Sequence, residues 1–139
     1  MAGERILIVD DDPDFSDALR LLLEAHGYET FRAESGKDAL EKLDRIKPDL
    51  IILDVVMESD IAGFEMAYHL RNPAPHASYA AYFDVPILVL TGIGERRKIS
   101  FAPQTNVAFL PVDAYLEKPV QPELLLEKTA ALLHAVRGW

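Results

Sequence analysis

The chain has 139 residues, of which 50% are hydrophobic and 27% are charged, a composition that suits one globular domain with a substantial core. It contains no cysteine, which excludes disulfide frameworks, zinc fingers and thiol nucleophiles. Its net charge of −9 opposes binding to polyanions, so we expect no direct contact with nucleic acid. No apolar run reaches the roughly 18 residues of a membrane span and no signal peptide is evident, so we expect a cytoplasmic protein without membrane association.

Short apolar runs alternate along the chain with longer stretches of helical periodicity. The first run, residues 6–9, is followed by a helix that Asp12 and Pro13 begin, because aspartate caps free N–H groups and proline needs no donor at the first helical position. Runs that are apolar on both faces are typical of central parallel strands covered by helices. The later elements are predicted as strand 30–33, a helix between Ser35 and Pro48, strand 50–53, helix 63–70, strand 86–90, strand 114–116 and helix 123–136.

Two irregular stretches interrupt this alternation. Pro73 and Pro75 exclude a continuous helix in the connection before the fourth strand. Between residues 92 and 113, the prolines restrict helical potential to about residues 95–101. The predicted fold is therefore a doubly wound α/β sheet whose fourth helix is short or displaced.

Reactive side chains follow four of the five predicted strands. Asp10 and Asp11 follow the first, Asp54 the third, Thr91 the fourth and Lys118 the fifth. Because the carboxyl ends of parallel strands share one edge, we expect these groups around one crevice. Carboxylates held close together repel unless a metal neutralises them, and all-oxygen ligation suits Mg²⁺. A carboxylate beside Mg²⁺ and an ammonium can attack a phosphoryl group, because both cations stabilise the transferring oxygens.

The sequence resembles the receiver domain of two-component response regulators over residues 4–137, as a single domain. The resemblance implies a flavodoxin-like, five-stranded parallel sheet of order 2-1-3-4-5 with helices on both faces. It also implies a phosphorylation switch rather than an enzyme, although such a domain assists its own phosphotransfer and dephosphorylation. The segments that carry it are Ile6-Leu7-Ile8-Val9-Asp10-Asp11-Asp12-Pro13, Leu53-Asp54, Leu90-Thr91-Gly92 and Tyr115-Leu116-Glu117-Lys118-Pro119.

By position, the resemblance assigns a role to each reactive group. Asp54 is the expected phosphoacceptor, and Lys118 is expected to pair with the phosphoryl group. Asp10 and Asp11 are the expected acidic pair, which would bind Mg²⁺ together with Asp54 and the backbone carbonyl of Val56.

The resemblance also implies switch residues and partners. Thr91 would move its hydroxyl towards the phosphoryl group, and Tyr115 would act as an aromatic rotamer switch. The bond between Lys118 and Pro119 is expected to be cis, an isomer that proline makes accessible. The expected phosphodonor is a sensor histidine kinase or a phosphotransfer protein, and the output would pass to a protein partner, with homodimerisation as one option.

Departures from the family pattern leave two alternatives open. The loop after Asp54 lacks the family's usual proline and is one residue longer, which would suit a pseudo-receiver that binds partners without phosphorylation. A haloacid-dehalogenase-type phosphatase would use Asp10 as the nucleophile, with Thr91 and Lys118. That second alternative lacks a later acidic motif and leaves Asp54 without a role.

Overall fold

The computed structural model describes residues 3–54, 60–72, 74, 76–77, 79–82, 84–91 and 113–137. The predicted short helix at 95–101, the atypical loop 55–59 and Val56 lie outside these residues. The elements in chain order are β1 (Arg5–Val9), α1 (Pro13–Glu24), β2 (Glu29–Ala33), α2 (Gly36–Ile46), β3 (Leu50–Asp54), α3 (Asp60–Arg71), a 3₁₀ turn (Ala80–Tyr82), β4 (Ile87–Thr91), β5 (Ala114–Glu117) and α4 (Pro122–Arg137).

The five described strands form one parallel sheet in the order β2-β1-β3-β4-β5. This confirms the predicted flavodoxin-like α/β fold. The register is regular: Val9 is opposite Leu53, and Leu53 is opposite Val89. Because the central strands are in step, their carboxyl ends lie level with one another.

Each face of the sheet has its own apolar core. The side chains of Leu7 and Val9 pack with residues of α2 and α3, whereas Ile6 and Ile8 pack with residues of α1 and α4. The central strands are therefore buried on both faces, which explains their continuous apolar runs. No helix in the described ranges is long and apolar enough to cross a bilayer.

The helix ends follow local chemistry. The Asp12 carboxylate accepts hydrogen bonds from the N–H groups of Asp14 and Phe15, at 3.0 and 3.4 Å, and so caps α1 as predicted. Ser35 caps α2 in the same way through the N–H of Asp38, at 3.1 Å. Helix α3 begins three residues earlier than predicted and ends one residue later, and α4 extends its prediction by one residue at each end.

The connection between α3 and β4 packs on the core. Tyr79 and Tyr82 contact the α2/α3 core, and Tyr82 Oη donates to Asp44 Oδ1 at 3.3 Å. The 3₁₀ turn, which contains Tyr82, was not predicted, since the two prolines exclude only a continuous helix. This connection leads into β4, whose first residue is bonded to the residue before β5: the N–H of Ile87 donates to Asp113 Oδ2 at 2.8 Å.

Candidate functional site

The sheet places Asp10 and Asp54 at adjacent strand ends. The pairing of Val9 with Leu53 brings the two aspartates side by side. Both carboxyl groups are buried, Asp10 completely and Asp54 to 3% exposure. Two buried carboxyl groups side by side repel each other when both are ionised, so this pair needs a cation.

Lys118 supplies one cation. Its Nζ donates to Asp54 Oδ2 at 2.7 Å and lies 4.2 Å from the ring centroid of Phe15, in the first turn of α1. The ammonium is thus held by a carboxylate on one side and by an aromatic face on the other. The bond between Lys118 and Pro119 is cis, as expected.

The Asp10 carboxyl is incompletely satisfied. Its Oδ1 accepts the N–H of Asp12 at 3.0 Å, but among the described residues its Oδ2 has no hydrogen-bond partner. Burial raises the pKa of Asp10 to about 6; the Asp12 N–H and the charge of Lys118 oppose this rise, whereas the charge of Asp54 adds to it. A buried carboxyl oxygen without a hydrogen-bond partner, next to a second buried carboxyl group, fits a divalent cation.

The third predicted carboxylate is placed differently. Asp11 is exposed, and in the described part of the chain no group of three or more Asp, Glu or His side chains is placed to hold a metal ion. The structure therefore brings Asp10 and Asp54 together but does not gather all three carboxylates in one buried cluster. The ligand roles of Asp11 and of the Val56 carbonyl stay predictions.

Of the two predicted switch residues, the structure describes the side chain of Tyr115 but only the backbone of Thr91. Thr91 ends β4, where it is paired with Glu117, and its side chain lies outside the description. Tyr115 is half-buried on β5 and packs against the α2/α3 core. Their backbones lie on the predicted strands, and their switching roles stay predictions.

Two residues near the site were missed by sequence reasoning. Phe15 fits the apolar face of the first helix, and its position three residues after the Asp12 cap also puts it near the carboxyl edge. Arg32 Nε donates to the backbone carbonyl of Asp10 at 3.1 Å from the neighbouring strand β2. No sequence signal indicates this contact, because it depends on the pairing of β1 with β2.

Comparison with known proteins agrees with this geometry. The family model of the response regulator receiver domain matches residues 6–130. The response regulator MprA of Mycobacterium leprae is 38% identical over 135 residues, which cover 96% of this chain and 52% of that protein. The DNA-binding dual master transcriptional regulator RpaA of a Synechocystis strain is 35% identical over 129 residues, which cover 93% of this chain and 48% of RpaA. The chain thus spans about half the length of these relatives. RpaA is described as DNA-binding, so the relatives lend no support to the expectation that nucleic acid is not a partner.

Solved structures show the same fold. A two-component response regulator from Clostridium difficile is 30% identical with a TM-score of 0.73, and the match covers 94% of this chain and 96% of that one. The chemotaxis protein CheY4 of Vibrio cholerae is 28% identical with a TM-score of 0.73, and the match covers 94% and 99% of the two chains. Sheet order, strand-end chemistry and sequence agree, and this chain belongs to the response regulator receiver domain family of two-component signalling systems.

Proposed function

We propose that this chain is a phosphorylation-dependent signalling switch, in which Asp54 accepts a phosphoryl group from a histidine kinase or a phosphotransfer protein. The observation that carries the proposal is the contact of the buried Asp54 with the half-buried Lys118, beside Asp10, whose Oδ2 has no partner among the described residues. A nucleophile, an ammonium and a second carboxyl at one sheet edge are the groups that phosphoryl transfer to a carboxylate requires.

The transfer is a displacement at phosphorus. A carboxylate oxygen of Asp54 forms the new bond to phosphorus while the bond to the donor's imidazole nitrogen breaks, and that nitrogen keeps the electron pair. Lys118 moves its hydrogen bond from the carboxylate to a phosphoryl oxygen and stabilises its charge. Asp10, Asp11, Asp54 and the carbonyl of Val56 would hold Mg²⁺. When bound, the ion would neutralise charge on the phosphoryl oxygens. The same groups would assist hydrolysis of the acyl phosphate and so reset the switch.

The response to phosphorylation starts at the strand ends. Because a phosphoryl group on Asp54 adds negative charge, it attracts the Thr91 hydroxyl and holds the Lys118 ammonium. Tyr115 lies on β5, the strand that ends directly before Lys118. We propose that its side chain changes rotamer when Asp54 is phosphorylated. The changed surface is then read by a partner protein, a second copy or a further domain.

The proposed switch comprises residues 4–137 and acts in the cytoplasm. In RpaA, which is described as DNA-binding, the matching segment is 48% of the protein. With a net charge of −9, this domain itself is poorly suited to bind DNA, so we assign any DNA contact to a part outside the matching segment.

Intact mass spectrometry tests the proposal. Incubation with a small acyl phosphate and Mg²⁺ should add one phosphoryl group to the wild type, EDTA should prevent it, and Asp54→Asn should abolish it. Asp17→Asn, which changes an exposed carboxylate on α1, is the matched control and should be labelled normally.

Two other results would contradict the proposal. Undiminished labelling of Asp54→Asn, together with loss in Asp10→Asn, would support the phosphatase alternative. A wild type that no phosphodonor labels would support the pseudo-receiver.

A further inference from the structure

A groove beside the edge strand β2 carries charge opposite to that of the chain. It encloses about 660 Å³. Five of the chain's 14 Lys and Arg line it, against one of its 23 Asp and Glu. Three of the five pair with carboxylates: Arg5 with Glu29 at 3.1 Å, Arg20 with Glu24 at 3.9 Å and Lys42 with Asp38 at 2.9 Å. Arg32 and Arg45 have no ion pair among the described residues, so in a chain of net charge −9 they supply most of the local positive charge that would attract an anionic partner. The charged lining residues are Arg5, Arg20, Glu29, Arg32, Lys42 and Arg45.

Several of these cations are held in place by the fold. Arg5 Nε pairs with Glu29 Oε1 at 3.1 Å, and its Nη1 donates to the carbonyl of Ile46 at 2.9 Å. Arg20 Nε donates to Thr30 Oγ1 at 3.0 Å. A guanidinium has five N–H donors, so these contacts orient each group without using its full capacity. Side chains that are already ordered lose less entropy when a ligand binds.

The edge itself is protected against addition of another strand. In the described sheet β2 pairs with β1 alone, and the carbonyl of Arg32 accepts the Nζ of Lys42 at 3.1 Å. A lysine over an edge carbonyl disfavours strand pairing. A partner here would therefore bind through the charged side chains rather than as a sixth strand.

We propose that this groove docks an acidic, extended segment of a partner protein. Arg5 is opposite Glu29 at the start of β2, and Arg32 lies three residues further along, a separation of about 10 Å at 3.3 Å per residue. Lys42 and Arg45 line one wall from α2, and Arg20 lines the other from α1. The cations thus come from two strands and two helices and lie around the groove, so several carboxylates spaced along a peptide match them better than a single phosphate would.

The groove is connected to the phosphorylation site by one residue. Arg32, which lines the groove, also donates to the carbonyl of Asp10 at 3.1 Å. A docked carboxylate that competes for Arg32 would change the support of the Asp10 main chain, and binding at either place would then alter affinity at the other by the same factor. This coupling rests on the proposed function, whereas the docking itself does not.

Fluorescence anisotropy with a labelled peptide of alternating Glu and Ser tests the docking, in EDTA and about 50 mM salt, where surface charges are weakly screened. Because no Mg²⁺ or phosphodonor is present, the result is independent of phosphorylation. We expect saturable binding that Arg45→Glu weakens by about tenfold, the scale of one charge-assisted contact. Arg45 is exposed, so the variant should fold; Arg20→Gln on the opposite wall should also weaken binding.

Lys37→Glu is the matched control, because Lys37 is an exposed residue of the same helix that does not line the groove. It should leave the affinity within about twofold, the effect of a remote, screened charge. Equal losses in Lys37→Glu and Arg45→Glu would contradict a defined site, as would the absence of saturable binding or equal binding of a Gln-Ser peptide. Inorganic triphosphate or a DNA duplex that binds more tightly than the peptide, and depends on Arg45, would overturn the assignment to an acidic protein segment.

Discussion

Asp10 and Asp54 are buried side by side, and among the described residues the one ammonium that contacts the pair, Lys118, bonds to Asp54. The relationship is unequal, because Asp54 holds the cation and Asp10 keeps an oxygen without a partner. The pair therefore carries unfavourable negative charge in the metal-free protein.

The stability of the metal-free protein should depend on the ionisation of Asp10. Its folded-state pKa is about 6, against 3.8 for the free side chain, so the folded state binds the proton more tightly. The stability that the folded state gains from this tighter proton binding is fully present below about pH 4 and is lost as the pH rises through about 6. Asp10→Asn should therefore raise the free energy of unfolding at pH 7.5 by about 1–3 kcal/mol and change it little at pH 4. Urea unfolding at both pH values measures this, and an equal effect at both would contradict it.

Mg²⁺ should stabilise the wild type by mass action. At about 100 times the dissociation constant, the gain would be about 2.7 kcal/mol, seen as a rise in melting temperature during a Mg²⁺ titration. Asp10→Asn should lose the response, whereas Asp17→Asn, an exposed change on α1, should keep it. Melting curves that do not move with Mg²⁺ in the wild type would exclude the proposed metal role of Asp10.

Phe15 should stabilise the ammonium of Lys118. The distance of 4.2 Å from Nζ to the ring centroid is within the range of a cation–π interaction, which contributes about 0.5–1 kcal/mol at a partly exposed site. A double-mutant cycle with Phe15→Leu and Lys118→Met should show a coupling energy of that size. Strict additivity of the two changes in unfolding free energy would show that the ring serves only as packing.

Asp113 should anchor the start of β5. Its Oδ2 accepts the N–H of Ile87 and also the guanidinium of Arg71, both at 2.8 Å. Asp113→Ala should lower the free energy of unfolding by about 1–3 kcal/mol, since it leaves a backbone N–H without its partner. Arg71→Ala should cost less, about 1 kcal/mol or below, because it leaves the bond to Ile87 in place. Chemical unfolding of both variants checks the order, and a larger loss for Arg71→Ala would contradict it.

The sequence determined the fold class through patterns that are local and strong. Continuous apolar runs such as residues 6–9 and 50–53 are typical of strands buried on both faces, and the Asp12-Pro13 pair marks a helix start by its hydrogen-bonding chemistry. Because the carboxyl ends of parallel strands lie at one edge, the same pattern also predicts that Asp10, Asp54 and Lys118 lie together. The bounds of α3 and the 3₁₀ turn depended on weaker signals.

Which of these groups contact one another depends on side-chain directions and strand pairings that no local sequence pattern encodes. The strand ends bring Asp10 and Asp11 to the same edge, but burial of one and exposure of the other depend on which way each side chain leaves the chain. The contact between Arg32 and Asp10 requires the pairing of β1 with β2. The basic groove draws its cations from β1, α1, β2 and α2, residues far apart in a strongly acidic sequence, so their common field exists only once the chain has folded.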